Sequence, residues 1–352
     1  MLKNKDNRKN LNNFFKEILS SILAIIFALI IGAIIIYLMG ESPFKAYSYM
    51  ISGAFGSTRD FANTISKSIP LVFTGLSVAI AFRTNIFNIG AEGQLLFGAL
   101  CSILFALKFP NLSKIILMPI TFLVGILGGM IIGAIPGIFK SRLKINEVIV
   151  GIMLNYIVTH YSSFLVNGPL KDAGTVAQTK MISTNARLSK LVPRTQLTTA
   201  LLIMIFAVVI VYIFLWKTNL GYKIRAVGVN SDASEAAGIN SKKITIFSMC
   251  LSGAIASLAG ITEVLGKQYR FIEGFSPSFG FTGIAVAVLG KNHPIGVILS
   301  AFLFGALDNG ALRMSRETIV SSSIVLLIQS LVILFVSAPK IFEFIKHKSE
   351  DV

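Results

Sequence analysis

Apolar residues run almost unbroken through positions 18–39, 65–82, 116–139, 148–166, 197–216, 244–265 and 319–337. Shorter or polar-interrupted runs occupy 94–109, 281–289 and 295–312. A bilayer-crossing helix needs about 20 apolar residues, so the pattern predicts an all-α, polytopic membrane protein of roughly ten transmembrane helices, some broken or short. An even number of crossings leaves both termini on one side.

The chain is organised around positions 73–100, FTGLSVAIAFRTNIFNIGAEGQLLFGAL. This apolar stretch is interrupted by a polar, glycine-bearing break with Arg83, Asn85, Asn88, Glu92 and Gln94. Ionisable groups and irregular backbone persist at membrane depth where protein or a water-filled cavity surrounds them, which makes the break an internal surface. Asn88 is placed to cap the helix that follows. Glu92 gains from the positive end of that helix. Two readings stay open: a capped, kinked helix whose Glu92 pairs with Arg83 or a neighbouring helix, and a pathway lined by Asn88, Glu92 and Gln94.

Small residues mark close helix contacts at Gly129, Gly133 and Gly137 and again at Gly253, Ser257 and Gly260, where backbones can approach. Pro119 and Pro136 are expected to bend the span they share. An internal echo also appears. FTGLSVAI at 73–80 resembles FTGIAVAV at 281–288, and LFGAL at 96–100 recurs at 303–307. Transporters are often built from repeats, although an alphabet of Phe, Gly, Ala and Leu also produces chance matches.

Composition narrows the class. Of 352 residues 54% are hydrophobic and 14% charged, with a mean hydropathy of +0.77, far more apolar than a soluble core uses. The net charge of +16 lies in clusters between apolar runs. That pattern points to membrane orientation and away from nucleic acid. The basic tail 1–17, the group Lys140, Arg142 and Lys144, the loop 217–243 and the tail 338–352 with Lys340, Lys346 and Lys348 are assigned to the cytoplasm. Both termini are then cytoplasmic, and 18–337 forms the transmembrane domain. The segment 168–196 falls outside although it carries Lys171, Lys180, Arg187, Lys190 and Arg194, since longer loops obey the rule less strictly. The first run exceeds a signal-peptide core of roughly 7 to 15 residues and reads as a retained span.

Candidate chemistry is sparse. Cys101 and Cys250 sit in apolar runs as small hydrophobes. His160, His293 and His347 are isolated, without metal-ligand spacing, so no metal site is expected. Glu263, Asp308, Asn309, Glu147 and Lys67 form the remaining intramembrane polar set. Each could line a conduit. Glu147 and Lys67 stand near enough to span ends to reach water, and Asp308 with Asn309 near Arg313 suits a buried ion pair. In the loop, Asp232 or Ser231 is a plausible cap for a one- or two-turn helix that Gly238 ends. Gly266-Lys267 and Gly290-Lys291 lack the glycine spacing and following Ser or Thr of a phosphate loop, so the chain is no ATPase by itself. No catalytic set stands out.

The blocks FNIGAEGQLLFGAL at 87–100, RAVGVNSDASEAAGI at 225–239 and GFTGIAVAVLGKNHPIG at 280–296 occur in an order that resembles the membrane permeases of bacterial ATP-binding-cassette (ABC) importers. The specific group is the nucleoside permeases that work with basic-membrane-protein-type lipoproteins, close to the ribose and simple-sugar permeases. The resemblance implies a permease in the bacterial plasma membrane that is not an enzyme and needs no cofactor in this chain, with ATP used by a cytoplasmic ABC ATPase. It further implies a second, related but different permease and an extracytoplasmic substrate-binding lipoprotein, whose docking surface 168–196 could supply. On this resemblance the loop is a coupling helix in which Gly228, Asn230, Glu235, Ala236, Ala237 and Gly238 carry the ATPase contact and its turns. Glu263 and Asp308 join Asn88, Glu92 and Gln94 as pathway candidates. A simple-sugar permease and an ion-coupled secondary transporter are the alternatives.

Overall fold

The computed structural model describes residues 25–337 and Leu23. The tails 1–17 and 338–352 and the start of the first span lie outside the described residues. Regular structure among the described residues is helical, with two isolated antiparallel bridges, Gln178 with Ile272 and Lys190 with Thr198. Among the described residues seven helices are long and apolar enough to cross a membrane. They are α3 (Thr58–Phe82), α4 (Ala91–Lys108), α5 (Lys114–Leu143), α6 (Glu147–Asn167), α7 (Ala200–Lys217), α10 (Ser241–Glu263, continued by a π-helical turn Val264–Gln268) and α12 (Pro294–Glu317). Shorter apolar helices are α1 (Ile25–Leu38), α11 (Phe279–Leu289) and α13 (Ser323–Ser337). With α2 (Pro43–Phe55), α8 (Asn219–Val229) and α9 (Ser231–Ala236) they complete the set.

The chain divides into two units, residues 1–60 with 306–352 and residues 61–305. In the first, the Tyr47 hydroxyl donates to the Leu29 carbonyl at 2.6 Å and Phe27 meets Phe335 edge to face at 5.1 Å. Asn309 donates to the carbonyls of Gly53 and Asp60, and Arg313 approaches Asp60 at 3.8 Å.

The second unit is built on α3, whose most apolar stretch is 83% buried, against 28% in α6. α6 instead leaves Ile149, Met153, Ile157 and Phe164 exposed, apolar surface for lipid or another chain. Helices α4, α5 and α10 pack closely against one another. Here the two small-residue stripes seen in the sequence face each other. A Cβ on Gly129 would lie 2.5 Å from the Gly253 carbonyl oxygen, and one on Gly253 would lie 2.3 Å from that of Gly129. Backbones this close exclude any side chain, so glycine sets the interhelical distance.

The echo also acquires a structural meaning. FTGLSVAI lies on α3 and FTGIAVAV on α11, and each helix is followed by a polar break and then by the LFGAL helix, α4 or α12. The two helices pack through their glycines. A Cβ on Gly283 would sit 2.5 Å from Thr74, and one on Gly75 would sit 2.8 Å from Val286. At their ends Arg83 donates to the Asn292 carbonyl at 2.9 Å. Contacts thus advance together along both helices, which run in the same sense.

Candidate functional site: a broken-helix cavity and the loop beneath it

The break after α3 folds into a turn in which Asn85 has a φ of 57°. Gly90, not Asn88, occupies the cap position of α4. Asn88 turns inward because a closer partner is available. Its amide donates to Gln94 at 2.8 Å and to Ser252 at 2.7 Å, and Gln94 donates back at 3.0 Å. Ser252 in turn donates to the Ser77 carbonyl. Asn88 and Gln94 are fully buried, and this reciprocal amide pair braces α3, α4 and α10.

Glu92 has a different fate. Its carboxylate accepts the Gly280 amide at 2.6 Å. The acid therefore lies at the N-terminal ends of both α4 and α11, where unpaired amides and helix dipoles favour negative charge. The expected pair with Arg83 is not formed. Arg83 instead grips Asn292 and covers the Trp216 ring at 5.0 Å.

Glu92 opens onto a cavity of about 460 Å³ that continues along α6 past Asn155, Tyr156, Thr159, Ser162 and Ser163 to Glu273. The far wall is the connection between α10 and α11, with Phe271, Ser276 and Ser278, and Phe281 in the first turn of α11. Backbone pairing holds that wall. Thr179 donates to the Phe271 carbonyl, Ile182 to Tyr269, Leu188 to Leu265 and Glu273 to Ala177, so the long 168–196 segment is seated against the residues that shape the cavity. Ser163 and Asn167 hydrogen-bond the Glu273 carboxylate and hold it below the usual carboxylate range. Ser278, immediately before α11, adopts φ 65° and ψ 42°. A left-handed serine is strained, and such strain concentrates at functional sites.

The other intramembrane candidates sit elsewhere. Glu263 pairs with Lys267 one turn on, and that lysine also reaches the Ser66 carbonyl. Asp308 accepts from Gln329 at 2.8 Å. Glu147, expected to reach water, is buried and pairs with Lys140 at 2.9 Å. Of the five proposed pathway residues, Glu92 is the one that lines this cavity. The sequence reading missed the α6 wall, although Asn155, Thr159, Ser162 and Ser163 recur at helical spacing inside an apolar span and form a polar stripe. The Glu273 wall had no such signal, because only the pairing with 177–188 brings it there.

Below the breaks, α8 and α9 form the connection between α7 and α10. Asn230, rather than Ser231 or Asp232, caps α9: its side chain accepts the amides of Asp232 and Ala233 at 3.0 and 2.9 Å. Starting the helix one residue earlier leaves Asp232 in the first turn, where its charge suits the dipole. Gly238 ends the turn with φ 81°. Asn230, Glu235, Ala236, Ala237 and Gly238 are exposed, and Ser241 donates to Glu235. Gly228 faces the other way. A Cβ there would lie 2.0 Å from the Arg83 carbonyl oxygen, so α8 is seated directly on the break of α3 and α4. His293 meets Trp216 edge to face at 4.9 Å, and Tyr212 stacks on Trp216 at 5.5 Å. Both breaks, the end of α7 and the loop helix thus share one contact cluster.

Apolar helices of spanning length, a bundle close-packed through glycine, and a cavity beside a broken helix with two carboxylates in its largely apolar wall define an integral membrane transport component. The profile of the family described as branched-chain amino acid transport system / permease component matches residues 61–337. The chain belongs to this family. It is 38% identical to the nucleoside ABC transporter permease protein NupB of Lactococcus lactis, over 97% of this chain and 96% of that one. It is 37% identical to the guanosine ABC transporter permease protein NupP of Bacillus subtilis, over 94% and 96%. A glucose ABC transporter permease, TsgB13 of Haloferax volcanii, is 32% identical over 92% and 87%.

Proposed function

We propose that this chain is one permease of an ABC importer for nucleosides. The observation that carries the reading is full-length similarity to the nucleoside and guanosine permeases at 38% and 37% identity. The chain also resembles, at 26%, the nucleoside permease NupC from the organism of NupB and the guanosine permease NupQ from that of NupP. That pattern supports a partner permease of related but different sequence. A cytoplasmic ATPase supplies the energy, and an extracytoplasmic lipoprotein delivers the solute. Both termini face the cytoplasm in this arrangement.

Coupling runs through α8 and α9. The exposed Asn230, Glu235, Ala236, Ala237 and Gly238 meet the ATPase, while Gly228 on the opposite face bears on Arg83. A push on the loop therefore reaches the break without an intervening side chain. Such coupling requires two arrangements that the ATPase and the solute stabilise unequally.

The test is uptake by the reconstituted complex with labelled nucleoside, unlabelled sugars as competitors, and proton and sodium gradients collapsed at constant ATP. Nucleoside uptake that persists and resists sugar competition supports the reading. The similarity to the glucose permease favours a sugar as the second reading, for which labelled glucose would enter and nucleoside would not. Loss of uptake with the gradients would mark an ion-coupled transporter.

A further inference from the structure

We infer that the cavity between Glu92 and Glu273 is a solute-recognition site within the permease itself, one that accepts a neutral, ring-bearing compound rich in hydrogen-bond donors and rejects its phosphorylated form. The inference rests on the importer reading above and adds to it a filter separate from the lipoprotein.

Four observations converge. First, the volume of about 460 Å³ lies in the range of small-molecule sites. Second, the lining contains two carboxylates, Glu92 and Glu273, and among the described residues neither Lys nor Arg. Carboxylates accept hydrogen bonds from hydroxyl and amino groups and repel phosphate. Third, Tyr156 and Phe281 remain 61% and 45% exposed beside these acids, offering faces on which a planar base can stack. Fourth, Ser162 is 3% exposed, yet its hydroxyl finds no hydrogen-bond partner among the described residues. Buried hydroxyls are normally satisfied, and a bound solute provides what is missing.

The alternative for Glu92 is a purely structural anchor for α11. Its bond from the Gly280 amide serves that purpose, but it does not explain the unsatisfied Ser162, the strained Ser278 or the second acid across the same space. A nucleoside fits the set: ribose hydroxyls and exocyclic amines donate to the acids, and the base lies on an aromatic ring. A nucleoside monophosphate would bring its anion between two carboxylates with no cation to offset it.

The experiment uses the assembled transporter, two permeases with the ATPase, in nanodiscs and without lipoprotein. It is photolysed with a tritiated azido-purine nucleoside. Label is expected in 151–163 or 271–281, displaced by unlabelled nucleoside and not by its 5′-monophosphate. Thr159→Trp, at an exposed lining position on α6, should fill the cavity and lower labelling about tenfold, and Tyr156→Ala should lower it about tenfold through lost stacking. Label outside these segments, insensitivity to both substitutions, or equal displacement by the monophosphate would overturn the site. Failure of the importer reading is a separate result: the wild-type complex supplied with lipoprotein and ATP would then accumulate no nucleoside.

Discussion

Replacing Gly228 by alanine is the most direct probe of how the loop drives the bundle. The added Cβ would lie 2.0 Å from the Arg83 carbonyl oxygen, 2.8 Å from its carbonyl carbon and 3.1 Å from the Thr84 Cα. All three obstacles are backbone, so no rotamer change relieves them. Restoring contact to an ordinary distance requires α8 to withdraw from the break by roughly 1 Å or more, and overpacking of this kind costs about 1–3 kcal/mol. If transport passes through the seated arrangement, that cost lowers its population by about 5- to 150-fold. Glu235 and the exposed face of α9 are untouched, so the ATPase should still co-purify with the permease at wild-type yield while ATP-driven uptake falls by this factor. Gly266→Ala serves as the control, since its nearest neighbour is the Thr198 hydroxyl at 3.1 Å, a side-chain atom able to shift. Uptake within twofold of wild type in Gly228→Ala, measured at equal permease density, would refute the idea that the Gly228–Arg83 contact transmits the motion.

Three further outcomes are expected. Glu235→Arg places a cation on the exposed knob and should weaken ATPase co-purification with membrane insertion unchanged, a reversal worth several kcal/mol at a docking surface; normal recovery of the ATPase would remove the coupling assignment. Gln94→Met strips the buried Asn88 carbonyl of its donor and should cost about 1–3 kcal/mol of stability, read as a lower melting temperature in detergent, with uptake per folded molecule preserved; a selective loss of uptake would make Gln94 a pathway residue instead. Burial, and secondarily Arg83, holds the His293 pKa below its ordinary value, and its Nδ1 accepts the Ile295 amide at 3.3 Å, so the native state prefers the neutral ring. Its contribution to stability is then present above the ordinary histidine pKa of about 6.5 and is lost as pH falls from there through the lowered value, because the unfolded chain takes up the proton first. His293→Gln should flatten the melting temperature over that interval, and an unchanged slope would show that another group is responsible.

The hydropathy pattern alone determined the helical, membrane-spanning class, because satisfying backbone groups in lipid leaves a chain of apolar runs few other choices. It also located the 83–94 break, the Gly129 and Gly253 stripes and the short helix before Gly238, each of which depends on residue types within a few positions of one another. What it could not determine was partnership. Asn88 had the composition of a cap, but Gln94 and Ser252 stood nearer once α4 and α10 had packed. Arg83 and Glu92 were close in sequence and opposite in charge, yet Asn292 and Gly280, some two hundred residues away, took one each. The stripes could be recognised separately while their mutual contact could not. The cavity likewise needed Glu273 to be carried to α6 by pairing with 177–188, a long-range arrangement without local pattern. Local periodicity encodes which face of a helix is apolar or small; which neighbour fills that face is decided by the packing of the whole chain, where backbone approach and buried hydrogen bonds must be satisfied together.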